Sequence, residues 1–412
     1  MVGALNNFPG TQEEDYAVES MNSYQIAQVR LGGEFDDAFI YMGNIFATTP
    51  EGQVLAANLE ELIESASRSN YNLDLFVRND RLSQDIIGPL SSIPILSPKN
   101  KPNVFSPRVL EIDFDDAGWS VAHDLSETVN CLTSLDILAY YERLYIGSDR
   151  GVFSAEIRSE MPSGSILGKV SKRLDTSCLA LSSRGGAVTA SCGANGVFFA
   201  LDEVGMLTPR EEYASELVNM TSLPSSRVSW LGLHMVSHEG ASSVTSHRST
   251  YKKVANVASS ASKFQAGDTD SEELPKFVIT GLNPDEGLIL PELDSPEEEK
   301  VSYRDNWHNI FFSWHEGGQF DLHEREWSDG KLGEITSSLK GACGRPVSTA
   351  HHPGGVVVEE SDRVMLYLSD DKFAISDSEC LSVRTFPNSR WYRNIIVTID
   401  DDSLSITSPY LS

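Results

Sequence analysis

The sequence predicts an all-β chain built by repetition, and three observations carry that expectation. First, residues 130–203 hold two tandem copies of one pattern. One copy runs Asn130-Cys131-Leu132, then Ala139 to Ile146, then Gly151-Val152-Phe153; the other runs Ser177-Cys178-Leu179, then Ala187 to Ser191, then Gly196-Val197-Phe198. The Cys-Leu pairs lie 47 residues apart and the Gly-Val-Phe triplets 45 apart. Second, each copy is an apolar run, a turn at Asp149-Arg150-Gly151 or Ala194-Asn195-Gly196, and a second apolar run, which is the pattern of a β-hairpin. Third, strand-like runs stand near both chain ends, at Tyr24–Leu31 and at Asn394–Ile399 and Ser403–Ile406. Pairing terminal strands closes a ring and removes exposed sheet edges. A hairpin repeat near ~45 residues is the spacing of propeller blades. The expectation is one β-propeller of six or seven four-stranded blades over 20–412, with short decorating helices and loop insertions, after an acidic tail at 1–19. Two all-β domains with one chance repeat are the competing architecture.

Taken in order, the tail carries Glu13-Glu14-Asp15. Tyr24–Leu31 alternates as a strand does. Ala38–Met42, Ile45–Ala47 and Gln53–Ala57 follow, with a turn at Thr49-Pro50-Glu51-Gly52. Gly52 and Gly151 are 99 residues apart, about two repeat lengths, so a degenerate copy is expected between them. Leu59, Leu62, Ile63 and Ala66 have the spacing of a short amphipathic helix, and Tyr213, Ala214, Leu217 and Val218 suggest another. Five prolines between Pro89 and Pro107 make an extended connector. Val109–Phe114 and Trp119–Ala122 resume strand character. The stretch 259–273, poor in apolar residues and containing Asp268 and Asp270, reads as a flexible, protease-sensitive insertion. Hairpins resume at Asn309–Leu322, Gly355–Ile375 and Asn394–Ile406.

Composition narrows the function classes. The net charge is −28 over 412 residues, which disfavours a nucleic-acid-backbone binder and an anionic membrane surface and favours basic protein partners. No run of apolar residues is long enough to span a bilayer, and the first residues lack a secretory pattern. The five cysteines are odd in number and widely spaced. Free thiols in a reducing, cytoplasmic compartment are therefore expected.

Chemical motifs are few. No nucleophile elbow, Walker A loop, zincin motif or dinucleotide fingerprint occurs. Asp113 to Asp124 imitates a calcium loop but has Ala117 and Val121 where oxygen ligands are needed. His234 and His238 would sit ~13 Å apart on a strand, too far to share a metal. No metal and no cofactor are expected.

Across about 20–412, and most clearly at 130–203, the repeat resembles the WD40-like class of propellers in general, without its Gly-His and Trp-Asp dipeptides. Gly-Gly pairs at 32–33, 185–186, 317–318 and 354–355 give a weaker kelch-like likeness. A repeat platform for protein–protein interaction, as a scaffold or regulatory subunit, is the expectation from this pattern. The alternatives are a propeller-type hydrolase with channel carboxylates and an acidic mimic of nucleic acid. Candidate binding residues lie in hairpin loops and aromatic patches: Tyr140, Tyr141 and Arg143, Arg184 in the corresponding loop of the next copy, and Trp307 and Trp314.

Overall fold

The computed structural model describes residues 24–59, 62, 108–112, 119–124, 134–140, 143–158, 166–184, 186–201, 217–231, 234–239, 243–253, 277–284, 301–307, 309–328, 331–368, 372–387, 389 and 392–411. Twenty-nine strands in this part of the chain form seven sheets. β1 (Tyr24–Gly32) comes first in the chain but joins the last blade. Blade 1 is β2 (Asp37–Tyr41), β3 (Asn44–Thr48) and β4 (Gln53–Asn58), completed, after β5 (Arg108–Ile112) has left the sheet, by β6 (Ser120–Asp124). Blade 2 is β7 (Ser134–Tyr140), β8 (Arg143–Ser148), β9 (Gly151–Glu156) and β10 (Ser171–Leu174). Blade 3 is β11 (Ala180–Arg184), β12 (Ala187–Ser191), β13 (Val197–Leu201) and β14 (Val218–Thr221). Blade 4 is β15 (Arg227–Leu231), β16 (His234–Glu239), β17 (Ser243–Lys253) and β18 (Phe277–Pro284). Blade 5 is β19 (Val301–Trp307), β20 (Ile310–His315), β21 (Gln319–Ser328) and β22 (Lys331–Ala342). Blade 6 is β23 (Ser348–His352), β24 (Gly355–Glu359), β25 (Val364–Leu368) and β26 (Lys372–Ser376).

Blade 7 closes the ring. It is β27 (Ser382–Thr385), β28 (Ile396–Ile399) and β29 (Ser403–Leu411), with β1 paired antiparallel to β29 from Tyr24↔Leu411 to Gly32↔Ser403. The expected propeller, with its terminal strands paired, is thus the fold, and it has seven blades. β5 adds a parallel fifth strand outside β1. Gly52 and Gly151 belong to consecutive blades, not to blades with a third between them. The extra length is an insertion inside blade 1, between β4 and β6. Val218, grouped by its spacing with a helix, instead begins β14. Leu59 and Leu62 are helical and buried, as their periodicity predicts. The insertion at 259–273, with Asp268 and Asp270, lies outside the described residues.

The hairpin turn that defines the repeat works through its glycine. Gly151 and Gly196 have φ of 130° and 88°, a region that only glycine enters without strain. A Cβ on Gly151 would also stand 2.0 Å from the Leu174 carbonyl oxygen of the neighbouring strand.

The second strand of each blade is covered on both faces by the adjacent blades. β12, β20, β24 and β28 are accordingly buried along their whole length. Their sequences read as continuous apolar or small-residue runs for this reason. Apolar cores fill the blade interfaces. One joins blades 6, 7 and 1 around Leu31, Ile45, Leu366 and Ile406. Others join blades 1 and 2 around Phe46 and Phe153, blades 2 and 3 around Tyr145 and Val188, blades 3 and 4 around Val197 and Met235, and blades 5 and 6 around Phe312 and Val356.

The interface of blades 4 and 5 is different. Strand alternation turns Leu231, Val236 and Phe311 toward it, but a hydrogen-bonded chain runs through its inner part. Arg227 Nη2 lies 3.5 Å from His238 Nδ1, His238 Nε2 lies 3.0 Å from Ser229 Oγ, and Ser229 Oγ donates to Asn306 Oδ1 at 3.1 Å. Arg227 also donates to Tyr303 Oη, Asp305 Oδ2 and the Arg304 carbonyl. Among the described residues, Arg227 Nε and Asn306 Nδ2 are buried with no hydrogen-bond partner.

Candidate binding face

The seven innermost strands all begin at one end of the ring, here the upper face. Antiparallel order places the turn between the second and third strands of each blade at the same face. The position just before an innermost strand is tied down in the same way from blade to blade. The backbone N–H of Asp36, Leu179, Ser226, Val347 and Leu381 donates to the carbonyl of Thr48, Ser191, His238, Glu359 and Ile399, the last residue of the second strand or, in blade 4, the one before it. In blade 2 the register shifts between Ser134 and Asp136, which puts Leu135 at this level.

Four of these positions expose an apolar side chain. Leu135 is 41% exposed, Leu179 42%, Val347 58% and Leu381 60%. Leu223, in the link to blade 4, is 51% exposed. Together they form a crescent at the mouth of the axial channel, over blades 6, 7, 2 and 3 and the approach to blade 4. The fold does not require apolar residues here, because the equivalent positions of blades 1 and 4 hold Asp36 and Ser226.

Acidic side chains surround the crescent. Glu51, Asp149, Glu239, Glu316, Asp362 and Asp401 are exposed, one in the upper-face turn of each blade except blade 3. At the opposite, lower face, Arg143, Arg184 and Arg393 stand in the links between first and second strands, while the sequence linking third and fourth strands holds Asp329 in blade 5 and Asp370 and Asp371 in blade 6.

Inside the channel mouth, carboxylates stitch blades together. Asp37 accepts from the N–H groups of Ala38 and Ile137, from Ser382 Oγ and from Arg384. Asp136 accepts from the Leu181 N–H and from the same guanidinium. Burial, reinforced by Asp37, raises the Asp136 carboxyl above its usual range, against the pull of Arg384. Burial alone would lower Arg384, but Asp136 and Asp37 more than reverse this and raise it. On the other side of the channel, Asp305 accepts from Arg227 at 2.8 Å and from Thr349 Oγ1 at 2.6 Å, joining blades 4, 5 and 6. These carboxylates are ties between blades.

The residues singled out from sequence fall elsewhere. Tyr140, Arg143, Arg184 and Trp307 all stand at lower-face turns. Tyr140 Oη accepts the Gly186 N–H of the next blade at 2.9 Å. Trp307 stacks on His351 of blade 6 at 6.3 Å between ring centroids. Tyr141 lies outside the described residues. Trp314 is buried between blades 5 and 6, with its Nε1 donating to the Cys343 carbonyl at 3.3 Å. The lower face thus brings Tyr140, Arg143 and Arg184 onto adjacent blades 2 and 3, with Trp307 on blade 5. Sequence reasoning missed Leu135, Leu179, Val347 and Leu381. Their signal is an apolar residue standing immediately before a strand or out of step with it, which is legible only once the strand starts are known.

Among the described residues, no group of three or more His, Cys, Asp or Glu side chains could hold a metal ion, and no helix is long and apolar enough to cross a membrane. Cys178, Cys192, Cys343 and Cys380 are free thiols.

No family model matches the chain, and no curated protein sequence does. Solved structures of similar fold include a chain of the mitotic checkpoint complex, at 9% identity over 99% of both chains with a TM-score of 0.45. The WD40 β-propeller domain of Doa1 is 10% identical over 93% of this chain and 97% of its own, with a TM-score of 0.43. YCF48 bound to D1 peptide is 8% identical over 95% of this chain and 96% of its own, with a TM-score of 0.42. By its own strand order the chain is a seven-bladed β-propeller.

Proposed function

We propose that this protein is a non-enzymatic platform that binds protein partners with a basic surface, as a scaffold or regulatory subunit. The observation that carries this reading is the acidic rim of the upper face: six of the seven upper-face turns present an exposed carboxylate. Such a rim raises the local concentration of basic partners and steers their approach. The inner carboxylates that a hydrolase would need are occupied by Arg384, Arg227 and backbone N–H groups. Four free thiols support a reducing, cytoplasmic setting.

Affinity purification from native lysate tests the platform reading. The expected result is a discrete, stoichiometric partner whose retention falls as salt rises, because exposed charges are screened beyond ~8 Å at physiological ionic strength. Absence of any such partner, or retention indifferent to both salt and reversal of Glu51, Glu239, Glu316 and Asp362 to Lys, would overturn it.

The recurrence of exposed carboxylates in six of the seven upper-face turns also suits an acidic mimic that occupies a basic nucleic-acid-binding groove. Duplex DNA distinguishes the two. It displaces the partner of a mimic and leaves the partner of a general platform bound.

A further inference from the structure

We infer that the apolar crescent at the channel mouth receives a short segment of the partner chain in which apolar side chains are flanked by Lys or Arg. This rests on the platform reading and specifies what docks there. Leu135 and Leu179 stand on adjacent blades 2 and 3, and Val347 and Leu381 on adjacent blades 6 and 7. The two pairs lie on either side of blade 1, so the apolar surface is divided between two places and not spread as one patch.

Three features select the occupant. The first is that the fold does not require apolar residues at these half-exposed positions. Their side chains leave the sheet at a backbone position that Asp36 and Ser226 fill equally well. Two adjacent pairs of exposed apolar side chains within a polar border mark a candidate interaction site. The second is charge. A segment crossing the mouth must pass between turns bearing Glu51, Asp149, Glu239, Glu316, Asp362 and Asp401, and basic flanks meet these with complementary potential where acidic flanks are repelled. The third is size. Two separated pairs of branched aliphatic side chains offer anchorage for individual side chains, whereas a broad rigid interface needs about 800 Å² on each partner. A segment with separated apolar anchors fits that arrangement.

The test selects short random peptides displayed on phage against the full chain and counter-selects them against the variant Leu179→Ser/Leu381→Ser. Both substitutions are at exposed positions, and an unchanged thermal midpoint will establish that the ring is intact. Enriched peptides should combine apolar residues with Lys or Arg. They should bind the native chain at least about tenfold more tightly than the variant, since loss of either aliphatic contact alone is expected to cost about that much. The rim variant Glu51→Lys/Glu239→Lys/Asp362→Lys should weaken the same peptides and abolish their salt dependence. The inference is overturned if no peptide is enriched over the naive library, if the enriched peptides are acidic, or if they bind native and Leu179→Ser/Leu381→Ser chains alike. Its failure stays separate from that of the platform reading. A lysate partner retained while peptide selection fails removes only the segment, whereas the absence of a partner removes the platform.

Discussion

Arg384 of blade 7 and Asp136 of blade 2 form an ion pair across the whole of blade 1, whose Asp37 shares the same guanidinium. The residue that fastens the closing blade therefore also fastens the two blades that follow it around the ring. Replacing Arg384 with Ala leaves two buried carboxylates without their counter-charge. The expected loss is about 3–5 kcal/mol of stability, read as a lowered denaturant midpoint. Arg384→Lys should recover only part of it, because an ammonium cannot bridge both carboxylates with a planar fork. A midpoint unchanged by Arg384→Ala would show that the pair does not hold the ring.

Acid should weaken the ring before the surface carboxylates titrate. Burial, with Arg227 alongside, lowers His238 to about 3, and burial lowers His352 to about 4. Both depart downward from an ordinary value of 6.5, so the folded chain holds them neutral. Above that value they cost nothing. As pH falls through it the unfolded chain takes up protons that the folded chain refuses, and stability drops. At pH 5 the loss is roughly 2 kcal/mol for each histidine. Urea denaturation between pH 8 and pH 5 measures this, and His238→Asn should remove that histidine's share, about 2 kcal/mol, from the fall.

The interface of blades 4 and 5 should open first. Its inner part is a chain of polar contacts with two buried donors left unpaired, each costing about 1–3 kcal/mol. Local opening follows such poorly compensated regions. Hydrogen exchange should be faster at amides of β15 and β19 than at those of β2 and β27, whose interface carries an apolar core as well as its ion pair. Uniform protection in all four strands would contradict this.

Limited proteolysis should cut first within 259–273, near Asp268 and Asp270, and leave the fragments together. The segment connects β17 and β18, which pair directly from His247↔Pro284 to Lys253↔Phe277. The fragments also share the β1–β29 ladder. Gel filtration of the nicked protein should give a single intact peak.

Much of the fold was legible because hairpins write themselves locally. Gly151 and Gly196 mark turns that demand positive φ, and Val356-Val357-Val358 can only be a strand buried on both sides. Blade membership was harder. Only tertiary pairing shows that β6 returns to β4 after a long insertion, or that β5 leaves to pair with β1. The channel ties were illegible for a related reason. Asp37, Asp136 and Arg384 are far apart in sequence, and among 60 acidic residues nothing local distinguishes two. The aromatic loop residues drew notice by type, yet Tyr140 and Trp314 have their polar atoms engaged in the fold. The exposed leucines escaped notice because leucine before a strand ordinarily means core.

The β1–β29 ladder also decides how the ring responds to force. Tyr24 faces Leu411 at one end of the ladder, and Gly32 faces Ser403 at the other. Tension applied at Tyr24 and Leu411 therefore reaches the same end of the ladder from both sides. It parts the hydrogen bonds one pair after another, as a zipper opens, and never loads them all at once in shear. A pull through the two strand ends would open the ring at modest force, while a load borne across the upper face is spread over seven blades.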